Sequence, residues 1–120
     1  MLQPIPFSSL FKVLQSKEIA ASSSAVVFIG KIPKTHIGFL EKVGTSDWLE
    51  DTWFIWQIDN VVVEKVERVI GFINSPAYYN PPLVVKDEIR WTGYNDSDTD
   101  HYFEVLNDGL AYPKGYRFKR

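Results

Sequence analysis

The chain has 120 residues, of which 15% are aromatic and none is cysteine, and its formal net charge at pH 7 is −2. This length suits a single domain, and the lack of cysteine excludes a disulfide framework, a thiolate zinc site and a cysteine nucleophile. The small negative charge argues against a nucleic-acid partner, because phosphate binding needs a basic excess. No apolar run approaches the roughly 20 residues that span a bilayer, so we expect no membrane partner.

The N-terminal segment is interpreted as an extended arm over residues 1–9. It contains Pro4 and Pro6, followed by Phe7, and proline disfavours a helix interior because it fixes φ and lacks a donor. A single domain is predicted to follow over residues 10–120.

The first half of that domain predicts strands. Residues 10–21 fit either a strand or a short helix, whereas the β-branched runs at 25–32 and 36–44 are typical of strands. The strongest hairpin is TWFIWQI-DN-VVVEKVERV, in which Asp59 and Asn60 form the turn, since both residue types tolerate positive φ.

The second half is interpreted as further short strands. Residues 70–73 predict a strand, and the stretch NSPAYYNPP, residues 74–82, predicts a stiff loop because of its three prolines. A strand is then expected over 83–95. A second hairpin is expected over 101–113, with its turn at Asn107-Asp108-Gly109 and Gly109 supplying the positive φ.

About eight short strands with turn signals between them predict an all-β fold, an antiparallel β-sandwich of jelly-roll type. Within the first hairpin, period-two alternation places Phe54 and Trp56 on one face and Trp53 and Ile55 on the other. Both faces are apolar, so the second one needs either another core or a partner molecule.

No constellation predicts catalysis, so we expect no enzyme and no cofactor. Acidic residues in the strands sit at alternating positions that face water, and His36 and His101 lack the spacing of a metal-binding set. Asp96, Asp98 and Asp100 alternate like the opening of a calcium loop, but the glycine and glutamate of that motif are missing. The sequence leaves a calcium ion there undecided.

The aromatic residues are the remaining candidates, because they exceed what one small core needs. Trp48, Tyr78 and Tyr79 could stack on sugars or enter a protein interface. Tyr78 and Tyr79 lie in the stiff loop, which would lose little entropy on binding. Covering the open end of the sandwich is the structural alternative for both tyrosines.

Four segments, IPKTHIGFLEKVG, WFIWQIDNVVVEKV, INSPAYYNPPLVVKDEIRW and DHYFEVLNDG, together resemble small all-β accessory virion proteins of tailed bacteriophages. These include head decoration or cement proteins with jelly-roll-like folds that bind the capsid surface, often as trimers. The resemblance covers residues 25–112. It implies a non-enzymatic structural role in the virion, assembly in the host cytoplasm, and the major capsid or another virion protein as partner.

Within this interpretation the candidate interface residues are Pro4, Pro6, Phe7, Trp48, Trp53, Ile55, Tyr78 and Tyr79. The arm would clasp a neighbour, and the outer apolar face at Trp53 and Ile55 would form the contact of a homo-oligomer, with a trimer favoured. The alternative function is a carbohydrate-binding module in which Trp48, Tyr78 and Tyr79 stack on a glycan.

Overall fold

The computed structural model of the chain describes residues 3–115. These residues form two antiparallel sheets packed face to face, which confirms the predicted β-sandwich. The elements in chain order are β1 (Ile5–Pro6), a short 3-10 turn (Phe7–Ser9), β2 (Leu14–Ile19), β3 (Ser23–Lys31), β4 (His36–Thr45), β5 (Thr52–Ile58), β6 (Val61–Val66), β7 (Ala77–Val85), β8 (Glu88–Asn95) and β9 (His101–Pro113).

The strand pairing is that of a jelly roll. Four pairs are nested in sequence, β5 with β6, β4 with β7, β3 with β8 and β2 with β9, as in one long hairpin folded at the β5–β6 turn. Rolling this hairpin adds the pairs β5–β8 and β4–β9. Sheet A therefore runs β9-β4-β7, with β1 and β2 both on the outer edge of β9, and sheet B runs β3-β8-β5-β6.

The core between the sheets is rich in aromatic rings. Trp56 of β5 and Trp91 of β8 are cross-strand partners whose rings stack at 4.8 Å, and Phe54 meets Trp91 edge-on at 5.4 Å. All three side chains are buried. Because aromatic pairs add to the gain from burial, this cluster ties the two central strands of sheet B to the opposite sheet through Phe103, which meets Phe54 at 5.5 Å.

The predicted Asp59-Asn60 hairpin turn is confirmed. Both residues have positive φ, 53° and 65°, as a type I′ turn requires. The Asp59 carboxylate also accepts hydrogen bonds from three backbone N–H groups of the β7–β8 turn, those of Lys86, Asp87 and Glu88, at 2.7–3.0 Å. One side chain therefore joins two turns that are distant in sequence.

The N-terminal arm is docked on the domain. Residues 1–2 of the predicted arm lie outside the described residues, and Ile5 and Pro6 pair with Ala111 and Leu110 of β9. The open choice for residues 10–21 is resolved as a strand over Leu14–Ile19. Residues 116–120 of the predicted domain also lie outside the description.

Three predictions around the proline-rich stretch are wrong. Residues 77–82 belong to β7, and prolines fit there because β7 is the edge of sheet A and donates to one neighbour. Residues 70–73 form no strand, although Phe72 makes isolated bridges to Thr45 and Ser75. The predicted strand over 83–95 is divided by a turn at residues 86–87.

The predicted hairpin over 101–113 is also wrong, because β9 is one continuous strand of 13 residues. Asn107 is fully buried and accepts a hydrogen bond at 3.1 Å from the indole N–H of Trp91. Gly109 is needed for another reason than positive φ: the Phe39 carbonyl oxygen of β4 occupies the space of a β-carbon. The sequence NDG is typical of a turn, but here Asn107 makes a buried hydrogen bond and Gly109 allows two backbones to approach closely inside a strand.

Four connections gather at one end of the sandwich, here called the loop end: residues 20–22, 46–51, 67–76 and 96–100. Backbone bonds join them, from Ser22 N–H to the Ser97 carbonyl at 3.2 Å and from Asp96 N–H to the Asp51 carbonyl at 2.9 Å. The Thr45 hydroxyl accepts from the Ile70 N–H at 3.0 Å. This end is therefore a connected layer rather than a set of separate loops.

Candidate interaction surfaces

The three predicted arm residues have different surroundings. The Phe7 side chain is fully buried in the core, with its ring 5.2 Å from that of Phe11. Pro4 and Pro6 are exposed, and Pro6 lies opposite Leu110 on the outer face of sheet A. The two prolines of the arm therefore stay on the surface, whereas Phe7 packs in the core of its own chain.

Tyr78 and Tyr79 do not project together from a loop, since consecutive strand residues point to opposite faces. Tyr78 is 71% exposed on the outer face of sheet A, with the Lys42 ammonium 5.4 Å from its ring centroid. Tyr79 points inward and meets the Trp56 ring at 6.0 Å. Burial raises the pKa of the Tyr79 hydroxyl, and the nearby Glu64 carboxylate raises it further.

Trp48 lies in the 46–51 connection at the loop end. Its indole N–H donates to the Thr52 carbonyl at 2.8 Å, and 45% of the residue remains exposed. Trp48 thus lies at the loop end, Tyr78 lies on the outer face of sheet A, and Tyr79 packs against the core. The glycan platform predicted from these three residues is not formed.

Trp53 and Ile55 face away from Phe54 and Trp56, as the alternation predicts, and the structure puts them on the outer face of sheet B. The Trp53 ring stacks on Tyr94 at 5.4 Å with an interplanar angle of 4°, and the Lys65 ammonium lies 4.9 Å from its centroid on the neighbouring strand. Ile55 lies between Thr92 and Lys65 in the strand register. Trp53 therefore already has partners on both sides within its own chain.

Sheet A carries a more continuous apolar feature on its outer face. The strand registers place Val84, Phe39, Leu110 and Pro6 side by side across β7, β4, β9 and β1, and we call these four residues the apolar row. Val84 is 49% exposed and Pro6 is exposed, while Phe39 and Leu110 are half-buried. The row crosses the whole width of the sheet.

A hollow opens beside the apolar row. It has a cavity volume of about 290 Å³ and is lined by Phe39, Glu41, Pro82, Leu110 and Tyr112. The Tyr112 ring meets Phe39 edge-on at 5.5 Å and so forms one wall. Apart from the carboxylate of Glu41 and the hydroxyl of Tyr112, the lining is apolar, so an apolar side chain of another molecule could fill it.

Sequence reasoning missed the apolar row for two reasons. Phe39 stands in the run IGFL, which is apolar on both strand faces, so alternation does not show which residues face outward. The same two-faced pattern drew attention to Trp53 and Ile55. Leu110 stands in the return arm of the hairpin predicted over 101–113, whereas the structure has one continuous strand there. Only the register of four strands, no two of them consecutive in the chain, brings these side chains into one line.

The edges of the sheets differ in how they are protected. Along β3, the Gln15 side chain donates to the Ile29 carbonyl at 2.8 Å and accepts from the Ile29 N–H at 3.1 Å, in place of a neighbouring strand. Along β7, Pro81 and Pro82 have no N–H to donate. β6 ends sheet B with Val61 and Val62 exposed by 67% and 55%. We call these two valines the β6 edge.

The three aspartates of the 96–100 connection do not form a cation site. The Asp100 carboxylate accepts a hydrogen bond from the Ala21 N–H at 3.0 Å and so joins two loops. Among residues 3–115, no group of three histidine or acidic side chains is arranged to hold a metal ion.

Two comparisons, with protein-family models and with curated proteins, found no significant match. The described part of the chain has no helix with the length and hydropathy that crossing a membrane requires. The assignment of a function therefore depends on the fold and on the surfaces described above.

Proposed function

We propose that this protein is a non-enzymatic structural protein that self-associates through the outer face of sheet A and attaches to a larger particle. In this proposal it is an accessory protein of a bacteriophage virion, of the capsid decoration or cement kind. The observation that carries the proposal is the apolar row, because a sandwich needs only the inner face of each sheet to be apolar.

The row has the features of a subunit contact. Phe39 is a half-buried aromatic anchor at its centre, Val84 and Pro6 extend it to both edges, and the hollow beside Leu110 can accept a side chain. The principal extents of the molecule are 53 × 25 × 22 Å. A sheet face of that size offers on the order of 1,000 Å², against roughly 800 Å² per partner in a standard interface.

We propose that the protein attaches to the particle through the loop end, because this end lies outside the face of sheet A that self-association would cover. Trp48 and Leu49 of the acidic connection 46–51 and Phe72 of the connection 67–76 are exposed there, and the connection 96–100 is acidic as well. An apolar contact with a polar rim is typical of protein interfaces. The partner in this proposal is the major capsid protein or another virion protein with a complementary basic surface.

The test is the solution mass, measured by light scattering after size exclusion across a concentration series. The wild-type protein should form a closed oligomer, with three copies favoured, and Phe39→Asp should be monomeric because a carboxylate in the apolar row cannot be desolvated. Two matched variants address the other surfaces: Trp53→Asp on sheet B and Val62→Lys at the β6 edge. Both should keep the wild-type mass.

Other outcomes have distinct meanings. A wild-type monomer at all concentrations would remove the self-association proposal. If Trp53→Asp alone dissociated the oligomer, the contact would lie on sheet B, as the sequence first suggested. If Val62→Lys alone did so, the copies would join edge to edge. Circular dichroism of each variant shows whether the fold is retained, and sedimentation with purified capsids then tests attachment to the particle.

A further inference from the structure

A second hollow lies on the outer face of sheet B, next to the loop end. It has a cavity volume of about 280 Å³ and is lined by Ser22, Ser23, Ser24, Trp53, Tyr94, Asn95 and Asp96. The strand registers place Trp53, Tyr94 and Ser24 side by side across β5, β8 and β3. The hollow therefore begins where an aromatic pair meets a serine.

The aromatic wall of this hollow is held in place. One face of the Tyr94 ring is covered by Trp53, and Trp53 in turn has Lys65 on its neighbouring strand. On its other side, the cross-strand neighbour of Tyr94 is Ser24, whose side chain is too small to cover a ring. A larger residue at position 24 would close the hollow, so the serine keeps one aromatic face open.

Polar groups around the ring are free to bind a ligand. Among residues 3–115, the hydroxyls of Ser22, Ser24 and Tyr94 and the carboxylate of Asp96 make no hydrogen bond to the protein. Three hydroxyls and one carboxylate thus surround a single aromatic face.

The backbone that carries these groups is nevertheless fixed. Asn95 is buried, and its amide donates to the Ile19 and Thr99 carbonyls at 2.9 and 2.8 Å. The N–H groups of Ser22 and Asp96 are both hydrogen-bonded to other loops. Since the backbone is ordered before a ligand arrives, binding costs little conformational entropy there.

We infer that this hollow binds a neutral saccharide. A pyranose ring has an apolar C–H face that packs on an aromatic ring, and it has hydroxyls that both donate and accept. The Asp96 carboxylate can accept from sugar hydroxyls through charge-assisted bonds, whereas it would repel an acidic sugar. The site is distinct from the predicted platform of Trp48, Tyr78 and Tyr79.

This inference does not depend on self-association, since the hollow lies on sheet B and the apolar row lies on sheet A. Either one can fail without the other.

The probes are the methyl pyranosides of glucose, galactose and mannose, together with N-acetylglucosamine and N-acetylgalactosamine. Saturation-transfer difference NMR is recorded with the full chain at roughly 10 mM sugar, where a millimolar Kd gives high occupancy. At least one neutral sugar should show saturation transfer from the protein, strongest for the protons on its C–H face. Glucuronic acid should bind at least tenfold more weakly.

Two variants locate the binding. Ser24→Leu should abolish the transfer signal by covering Tyr94, while Val26→Leu, on the same face of the same strand, should leave it unchanged. Asp96→Ala keeps the backbone bond to Asp51 and should weaken binding about tenfold. Saturation transfer from the wild-type protein to none of the five neutral sugars would overturn the inference. The inference would also be overturned if glucuronic acid bound as strongly as the neutral sugars, or if Asp96→Ala bound sugar as strongly as the wild-type protein. The Asp96→Ala variant tests the site even if Ser24→Leu does not fold.

Discussion

Replacing Gly109 by alanine tests the most unexpected feature of β9. The sequence NDG suggests a turn in which glycine supplies positive φ, whereas the structure places Gly109 inside a strand against the backbone of β4. A β-carbon there would collide with the Phe39 carbonyl oxygen. Since the obstacle is backbone rather than a flexible side chain, β4 and β9 would have to separate locally.

The expected loss follows from this geometry. Inserting one carbon into a closely packed site typically costs 1–3 kcal/mol, and a backbone obstacle belongs at the upper end, about 3 kcal/mol. For a chain of this length, that corresponds to a fall in Tm of about 12 °C. Urea unfolding gives the free energy and a thermal scan gives Tm.

Gly109 is explained either by positive φ in a turn or by the close approach of the β4 backbone. Asparagine substitutions separate these two explanations, because asparagine tolerates positive φ but has a β-carbon. Gly109→Asn should be at least as destabilising as Gly109→Ala. Gly115 is the matched control, since its φ is +83° and nothing lies within 4 Å of a β-carbon. Gly115→Asn should therefore change stability by no more than about 0.5 kcal/mol. If Gly109→Asn were as stable as the wild-type protein, the close backbone contact would be refuted and a turn with positive φ at Gly109 would be the better explanation.

Two further predictions concern single side chains. Asp59→Gly keeps positive φ accessible but removes the acceptor of the N–H groups of residues 86–88, so unfolding should require about 2 kcal/mol less; an unchanged urea midpoint would contradict this. The pKa of Tyr79 is raised above its usual 10.0, chiefly by burial and then by Glu64, so its contribution to stability is complete below the unfolded pKa and is lost as pH rises through the folded pKa. Between about pH 9 and pH 11, the urea midpoint should therefore fall more for the wild-type protein than for Tyr79→Phe, and parallel falls would be the contrary result.

Local chemistry predicted the elements whose signals lie within a few residues. Asp59 and Asn60 tolerate positive φ, and the apolar runs on either side of them specify the hairpin. Alternation in β5 placed Phe54 and Trp56 on one face and Trp53 and Ile55 on the other, which the burial pattern of the strand confirms. These predictions hold because turn geometry and the two-residue period of a strand depend on neighbouring residues alone.

Elements whose residues are explained only by contacts with distant parts of the chain could not be predicted from the sequence. Pro81 and Pro82 suit a strand only because β7 is an edge, and the turn at 86–87 is held by a carboxylate 27–29 residues away. Asn107 lies inside β9, where its side-chain oxygen accepts a hydrogen bond from Trp91, 16 residues earlier in the chain.

By itself, the sequence determined the class of fold, the main hairpin and the presence of surplus apolar surface, since composition and local periodicity encode these properties. Which apolar residues share a surface was decided only by the tertiary structure. Phe39, Leu110, Val84 and Pro6 come into line through the pairing of four strands, and Tyr94 faces a hollow because Ser24 is its neighbour on β3. The physical reason is that sheet register is a non-local property, fixed when the long hairpin rolls up and its strands find their second partners.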